Sequence, residues 1–296
     1  MPRFGRVLTA MVTPFDDDGE LDLDAATKLA TWLVEQGNEG LVVAGTTGES
    51  PTLTIDEKLS LFEAVASAVT VPVIAGTTAY NTRQDMGLTA EASELGIAGI
   101  LAVCPMYSRP SQAGIEAHFR AIASATDLPV LLYDIPKRTG RKIETGTMIR
   151  LAADVPNIVG VKDAAGNPAE TAILNIDTAA DFEIYSGDDV MTVPLLGIGA
   201  VGAIGVATHW CAPDHIEMFD AWAGNDVSAV QKINARQLES YDYETGDTAP
   251  NPVPSKAMMR VLGHAVGECR LPMGPTPPGL EDAARGVYDR LVAARG

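Results

Sequence analysis

Short apolar runs alternate with longer amphipathic stretches over the first two thirds of the chain. Runs at about 7–12, 40–44, 71–75, 98–103, 128–133, 157–162, 182–186 and 200–206 are rich in Val, Ile, Leu, Ala and Gly. Continuous apolar runs of this length read as strands buried on both faces. Between them, the segments at about 23–36, 55–69, 82–95, 111–125, 144–153, 167–179 and 188–198 mix apolar and polar residues at helical spacing. Thr54 before Ile55, with Glu57 three residues on, has the pattern of a helix start closed by reciprocal side-chain and backbone hydrogen bonds. From about residue 212 the alternation stops. Helices are expected at 214–222, 228–241, 255–264 and 279–294, with an acidic, proline-containing loop over 242–254. Eight strands each followed by a helix predict an α/β protein, a (β/α)8 TIM barrel over residues 1–211, with a helical appendix over 212–296 packed on it. No GxGxxG follows the first strand, which argues against a dinucleotide-binding sheet.

Composition narrows this picture. The 296 residues are 46% hydrophobic but only 5% aromatic, so the interior is built from aliphatic side chains and glycine. No apolar run approaches a membrane span, and the N-terminus lacks the long apolar region of a signal peptide, so a cytoplasmic protein is expected. The formal charge of −18 argues against nucleic acid and anionic membrane partners. It also means that a small anionic substrate must be held by a local cation. Cys104, Cys211 and Cys269 are too few and too scattered for a disulfide framework, and His209, Cys211 and His215 match no common metal spacing. Neither a metal nor an organic cofactor is expected.

In a barrel of this kind the working residues lie at the C-terminal strand ends. Strand six delivers Lys162 after Ile158-Val159-Gly160-Val161. An ammonium in so apolar a setting is costly, and the neutral amine that desolvation favours is a nucleophile able to form a Schiff base with a carbonyl. A lysine reaching past the strand end to water, paired with Asp163, is the plainer alternative. Strand two ends in Gly45-Thr46-Thr47-Gly48-Glu49, two hydroxyls between glycines. Strand four is followed by Tyr107 in the stretch from Pro105 to Pro110, and strand five by Tyr133 and then Arg138. Strand seven leads to Ser186-Gly187-Asp188-Asp189, and strand eight carries Gly202-Ala203-Ile204-Gly205. An amine, two phenols, two threonines and a guanidinium on one rim are what a Schiff-base lyase acting on a small keto acid requires.

These motifs resemble those of the pyruvate-dependent class I aldolase superfamily, which includes dihydrodipicolinate synthases and N-acetylneuraminate lyases. The double threonine, Tyr107-Ser108-Arg109-Pro110, Arg138, Ser186-Gly187-Asp188-Asp189, Asn251-Pro252-Val253-Pro254-Ser255-Lys256 and Arg270-Leu271-Pro272-Met273 are most similar to the dihydrodipicolinate synthase branch. The resemblance implies that Lys162 forms an imine with pyruvate, whose enamine attacks L-aspartate-4-semialdehyde. It implies a proton relay of Tyr133, Thr46 and Tyr107, the last reaching in from a neighbouring subunit. It further implies that Thr47 binds the pyruvate carboxylate, that Arg138 holds the semialdehyde carboxylate, and that carbonyls at Gly187 and Ile204 line the pocket. The implied assembly is a homotetramer made of two tight dimers. Another keto-acid aldolase, cleaving N-acetylneuraminate or a 2-keto-3-deoxy sugar acid, is the nearest alternative, and a non-catalytic barrel homologue a more distant one. The family commonly carries two tyrosines where this chain has Met106-Tyr107. Many relatives bind L-lysine at the dimer interface through polar residues. Here Ile55, Lys58, Tyr80, Gln84 and Met106 stand at the corresponding positions, so insensitivity to lysine is expected.

Overall fold

The structure is a computed structural model that describes residues 1–246 and 249–295. Eight parallel strands close into a barrel in sequence order: β1 (Val7–Ala10), β2 (Gly40–Val43), β3 (Val73–Gly76), β4 (Gly99–Val103), β5 (Val130–Asp134), β6 (Ile158–Asp163), β7 (Glu183–Ser186) and β8 (Gly202–Gly205). The helices between them are α1 (Leu23–Glu35), α2 (Ile55–Ala68), α3 (Thr82–Ala92), α4 (Gln112–Ala123), the single turn α5 (Pro136–Thr139), α6 (Thr145–Asp154), α7 (Pro168–Asp177) and α8 (Thr192–Leu196). Then come α9 (Thr208–Ala223), α10 (Val227–Thr245), α11 (Val253–Val261) and α12 (Leu280–Ala294). None of these helices is long and apolar enough to cross a membrane.

Strand alternation builds two cores. Inward positions, among them Leu8, Val42, Ile74, Leu101, Leu131, Tyr133, Tyr185 and Ile204, fill the barrel. Their neighbours Leu41, Val43, Ile100, Val130, Leu132 and Val161 face out and pack under the helices. On β6, Val161 belongs to the outer layer, so Lys162 beside it points the other way, into the barrel. The register puts Lys162 level with Tyr133 on β5 and Tyr185 on β7. The start of α2 forms as its sequence implies: Glu57 N donates to Thr54 Oγ1 at 3.2 Å, and Thr54 N donates to the Glu57 carboxylate at 2.7 Å.

Three details differ from the sequence expectation. The segment 188–198 is not one helix but a 3-10 turn, Asp189–Met191, followed by the short α8. The helix α9 begins at Thr208, so it runs through the boundary expected at 211/212. The expected loop over 242–254 is partly helical, because α10 continues to Thr245 and buries Tyr241 and Glu244 while Asp242 stays outside. An acidic stretch thus keeps an inward face that its composition conceals. Residues 247 and 248 of that loop, and residue 296, lie outside the described residues.

The C-terminal helices are bonded to the rim of the barrel. Lys256 on α11 forms an ion pair with Glu49 at 2.9 Å, each side chain only 1% exposed. Lys256 also donates to the Glu268 carbonyl at 2.9 Å and lies 4.0 Å over the Phe15 ring, while the Arg270 amide donates to Glu49 at 2.9 Å. The Arg270 guanidinium covers the same Phe15 ring and pairs with Glu57.

Candidate active site

Lys162 is buried in the barrel mouth with its Nζ 4.6 Å from the centroid of the Tyr133 ring. Burial pulls its pKa down from the usual lysine range to about 8. The Asp189 carboxylate opposes that shift and the Arg138 guanidinium adds to it. Nothing pairs Lys162 with Asp163. That carboxylate instead accepts from the Ala165 amide at 2.9 Å and the Thr171 hydroxyl at 2.5 Å, shaping the turn into α7. The plainer sequence alternative, a solvated lysine held by its neighbour, is therefore overturned.

Tyr133 is the second member of the site. Burial lifts its phenol to about 12, against the pull of Arg138 and of a hydrogen bond with Thr46. A phenol in this state keeps its proton at neutral pH and can pass it along a hydroxyl chain rather than ionise. Thr46, Tyr133 and Arg138 all line a cavity of about 460 Å³ that opens at the strand ends. A site of that size is ample for small organic acids.

Thr47 and Arg138 are held by one residue from the far end of the chain. Asn251 Nδ2 donates to Thr47 Oγ1 at 2.9 Å, and the Asn251 carbonyl accepts from Arg138 Nη2 at 3.2 Å. Ser255 fixes the amide by donating to Asn251 Oδ1 at 2.8 Å. Because Thr47 Oγ1 accepts from Asn251, its own hydroxyl proton stays free to donate to an anion. Gly187 closes the other side. A Cβ built there would lie 2.7 Å from Lys162 Cγ and 3.0 Å from Cε, so only glycine lets this backbone lie against the lysine. Ile204 is fully buried in the same inner layer as Tyr133.

Tyr107 stands apart. It is 94% exposed on a loop where both it (φ +66°) and Arg109 (φ +49°) adopt left-handed backbone, and within one chain it joins none of the groups above. The structure thus brings together Lys162, Tyr133, Thr46 and Arg138, sets Gly187, Ile204 and Thr47 around them, and leaves Tyr107 on the surface.

Around the cavity, Lys58, Tyr80, Gln84 and Met106 were read in the sequence only as positions of a lysine site, and Asn81 and Asp85 were not singled out. The outer part of the cavity is lined by Lys58, Tyr80, Asn81, Gln84, Asp85 and Met106. Asp85 is buried, and burial lifts its carboxyl to about 6 against the Ala79 amide and the Lys58 ammonium. It sits inside α3 with no motif to mark it. Asn251 stands in a C-terminal motif, but nothing local ties it to Thr47, 204 residues away. His209 turns out to be framework. Val12 N donates to His209 Nε2 at 3.1 Å, its Nδ1 donates to the Val206 carbonyl at 2.7 Å, and burial pulls the ring down to about 4, so it is neutral.

Comparison with known proteins gives a consistent result. The model of the dihydrodipicolinate synthetase family matches residues 3–285. The 4-hydroxy-tetrahydrodipicolinate synthase of Moorella thermoacetica is 45% identical over 294 residues, covering 99% of this chain and 97% of that protein. Among solved structures, a dihydrodipicolinate synthase from Bacillus anthracis superposes with a TM-score of 0.94 at 40% identity, covering 98% and 99% of the two chains. One from Cyanidioschyzon merolae with lysine bound gives 0.95 at 41% identity, covering 99% of both.

Proposed function

The chain belongs to the dihydrodipicolinate synthetase family, and from that premise we infer its chemistry. It is a class I, Schiff-base lyase that condenses pyruvate with L-aspartate-4-semialdehyde to 4-hydroxy-tetrahydrodipicolinate, in lysine and diaminopimelate biosynthesis. The observation that carries the assignment of roles is the buried Lys162 amine lying against Tyr133.

The roles run as follows. The free amine of Lys162 adds to the pyruvate ketone, and the carbinolamine loses water to give the imine. Loss of a methyl proton gives the enamine, whose carbon attacks the semialdehyde carbonyl. The amine of the bound semialdehyde then displaces Lys162 and closes the ring. Tyr133 and Thr46 carry protons in these steps, with Tyr107 of a neighbouring subunit completing the relay. Thr47, held by Asn251, donates to the pyruvate carboxylate. Arg138 binds the semialdehyde carboxylate, offsetting the repulsion of a strongly acidic protein. Carbonyls of Gly187 and Ile204 line the pocket. No step in this scheme calls for a metal or organic cofactor, since the imine itself is the electron sink. The assembly that supplies Tyr107 is a homotetramer of two tight dimers, working in the cytoplasm. The enzyme is insensitive to L-lysine, because Lys58 places an ammonium beside Asp85 and Glu57 is committed to Arg270.

The test is borohydride reduction in the presence of pyruvate. A single adduct is expected on Lys162, with loss of activity; an adduct elsewhere, or none, refutes the assignment. Because the pKa of the ammonium is lowered to about 8, the neutral fraction at pH 7 is about one tenth, roughly 300 times that of an ordinary lysine. Trapping should therefore fall about tenfold per pH unit below 8.

A further inference from the structure

A second polar cluster lies between the end of β7, the start of α9 and the last turns of α10, and the mechanism above does not use it. Asp189 opens the 3-10 turn after β7. Its Oδ2 accepts from the Val206 amide at 2.8 Å and the Ala207 amide at 3.4 Å. Its Oδ1 lies 3.5 Å from His215 Nε2, with both side chains at most 2% exposed. Glu244 and Tyr241 on α10 are buried beside them, the Tyr241 ring edge-on to His215 at 6.1 Å between centroids. The packing is tight: a Cβ on Gly205 would come within 2.3 Å of Asp189 Oδ1.

Proton placement in this cluster is constrained by its geometry. His215 Nδ1 lies 3.1 Å from the Cys211 carbonyl, which can only accept, so that nitrogen carries a proton. A neutral His215 would then turn the lone pair of Nε2 toward a carboxylate. Among the described residues, Asp189 Oδ1, His215 Nε2, Tyr241 Oη and Glu244 Oε2 are buried and make no well-aligned hydrogen bond. Two bare carboxylates and a facing lone pair in one dry pocket are strongly unfavourable; an added proton relieves the first conflict from Glu244 or the second from His215 Nε2, so the two sites compete for it. We propose that Asp189, His215 and Glu244 share one proton and act together as a positioning group for Lys162, setting the balance between its amine and its ammonium.

The electrostatics agree with this arrangement. Burial, and then the Asp189 charge, drive the Glu244 carboxyl well above the carboxylate range, so it keeps the proton. Burial alone would lift Asp189 too, but donation to its carboxylate, by His215 when that ring holds the shared proton, by the Val206 amide, and by Glu244 when the acid holds it, keeps it below that range. The cluster then presents one net negative charge at Asp189, and that charge opposes the desolvation of Lys162. Lys162 is faced by Tyr133 from β5, Arg138 from α5, Asp188 and Asp189 from the turn after β7, and Glu244 from α10. The cluster is faced in addition by Asp214 and Cys211 of α9 and by Tyr241 of α10. None of the three sharing groups has to touch substrate.

The inference rests on Lys162 as the imine-forming amine, and the experiment keeps the two apart. Borohydride trapping with pyruvate is measured across pH for the native enzyme, Asp189→Asn and Glu244→Gln, with the adduct located by mass spectrometry. Asp189→Asn keeps an acceptor for the amides and removes the charge. Its acid limb is expected to move down by about one unit, so that trapping well below the limb rises roughly tenfold relative to its own plateau. Glu244→Gln exchanges a neutral acid for a neutral amide and should leave the limb in place. An Asp189→Asn protein that loses melting temperature and amplitude at every pH with an unmoved limb would show a structural role only, and overturn the proposal. A Glu244→Gln limb displaced as far as that of Asp189→Asn would overturn it as well. If Asp189→Asn does not fold, infrared spectroscopy of the native protein decides. A carbonyl band from a buried protonated carboxyl at neutral pH, lost in Glu244→Gln, supports the shared proton, and its absence refutes it. An adduct on another lysine would count against the Schiff-base assignment alone, since the infrared band does not depend on it.

Discussion

Replacing Lys256 by methionine gives the sharpest test of how the C-terminal helices serve the site. The change keeps an unbranched chain of similar length over Phe15 but removes the ammonium that faces Glu49 at 2.9 Å, where both partners are 1% exposed. Glu49 would keep the Arg270 amide but lose its counter-charge. Removing one partner of a buried ion pair costs about 3–5 kcal/mol, because the other charge stays buried without compensation. Against a total stability of about 5–15 kcal/mol this is a large fraction. At about 2–4 °C per kcal/mol for a domain approaching this size, the melting temperature should drop by roughly 6–20 °C. Urea titration and thermal scans of Lys256→Met, Glu49→Gln and the double variant measure it. The double variant should recover part of the loss, since two neutral groups replace an orphaned charge. Glu49 ends the loop that carries Thr46 and Thr47, so pyruvate trapping should weaken in the single variant even where it remains folded. A melting temperature within about 3 °C of the parent, equivalent to roughly 1 kcal/mol, would show that the pair contributes little and that the reasoning is wrong.

Two other outcomes bear on substrate and regulation. Arg138→Ala should lower kcat/KM for the semialdehyde about ten- to a hundredfold, the worth of a lost charge-assisted contact of about 1.5–3 kcal/mol. Pyruvate trapping at Lys162 should persist, with its acid limb moved upward because a nearby cation is gone; kinetics equal to the parent would reduce Arg138 to a surface charge. Titration with L-lysine should leave activity unchanged, since the ligand's ammonium would meet that of Lys58 and Asp85 is already offset; inhibition below about 1 mM, a binding energy near 4 kcal/mol, would contradict this.

The barrel was legible because strand and helix each write a local pattern. All eight strands lie where the apolar runs place them, and the cap at Thr54 forms from residues three apart. Lys162 could be singled out for the same reason: one basic residue interrupts an apolar run, and strand geometry alone sends it inward. What stayed hidden depends on contacts between distant segments. No spacing links Asn251 to Thr47, or His215 and Glu244 to Asp189, since those meetings depend on how α9, α10 and α11 fold back over the rim. The continuation of α10 to Thr245 was obscured similarly, because Glu244 is acidic yet buried. Glu49 and Lys256 each stand in a sequence motif, but nothing in the sequence pairs them across the molecule.

The anchoring of Thr47 by Asn251 also orders events in time. A chain made from its N-terminus has all eight strands once residue 205 has emerged, and the barrel can begin to close. At that stage Lys162 and Tyr133 are present, but the Thr47 hydroxyl is not yet held, and Glu49 has no counter-ion. Both arrive only with residues 251–256, followed by Arg270. Maturation of the site therefore lags closure of its scaffold by some fifty residues of synthesis, a few seconds at ordinary elongation rates of about 5–20 residues per second. The buried amine of Lys162 is thus in place well before the Thr47 hydroxyl is anchored, which happens only when nearly the whole polypeptide has been made.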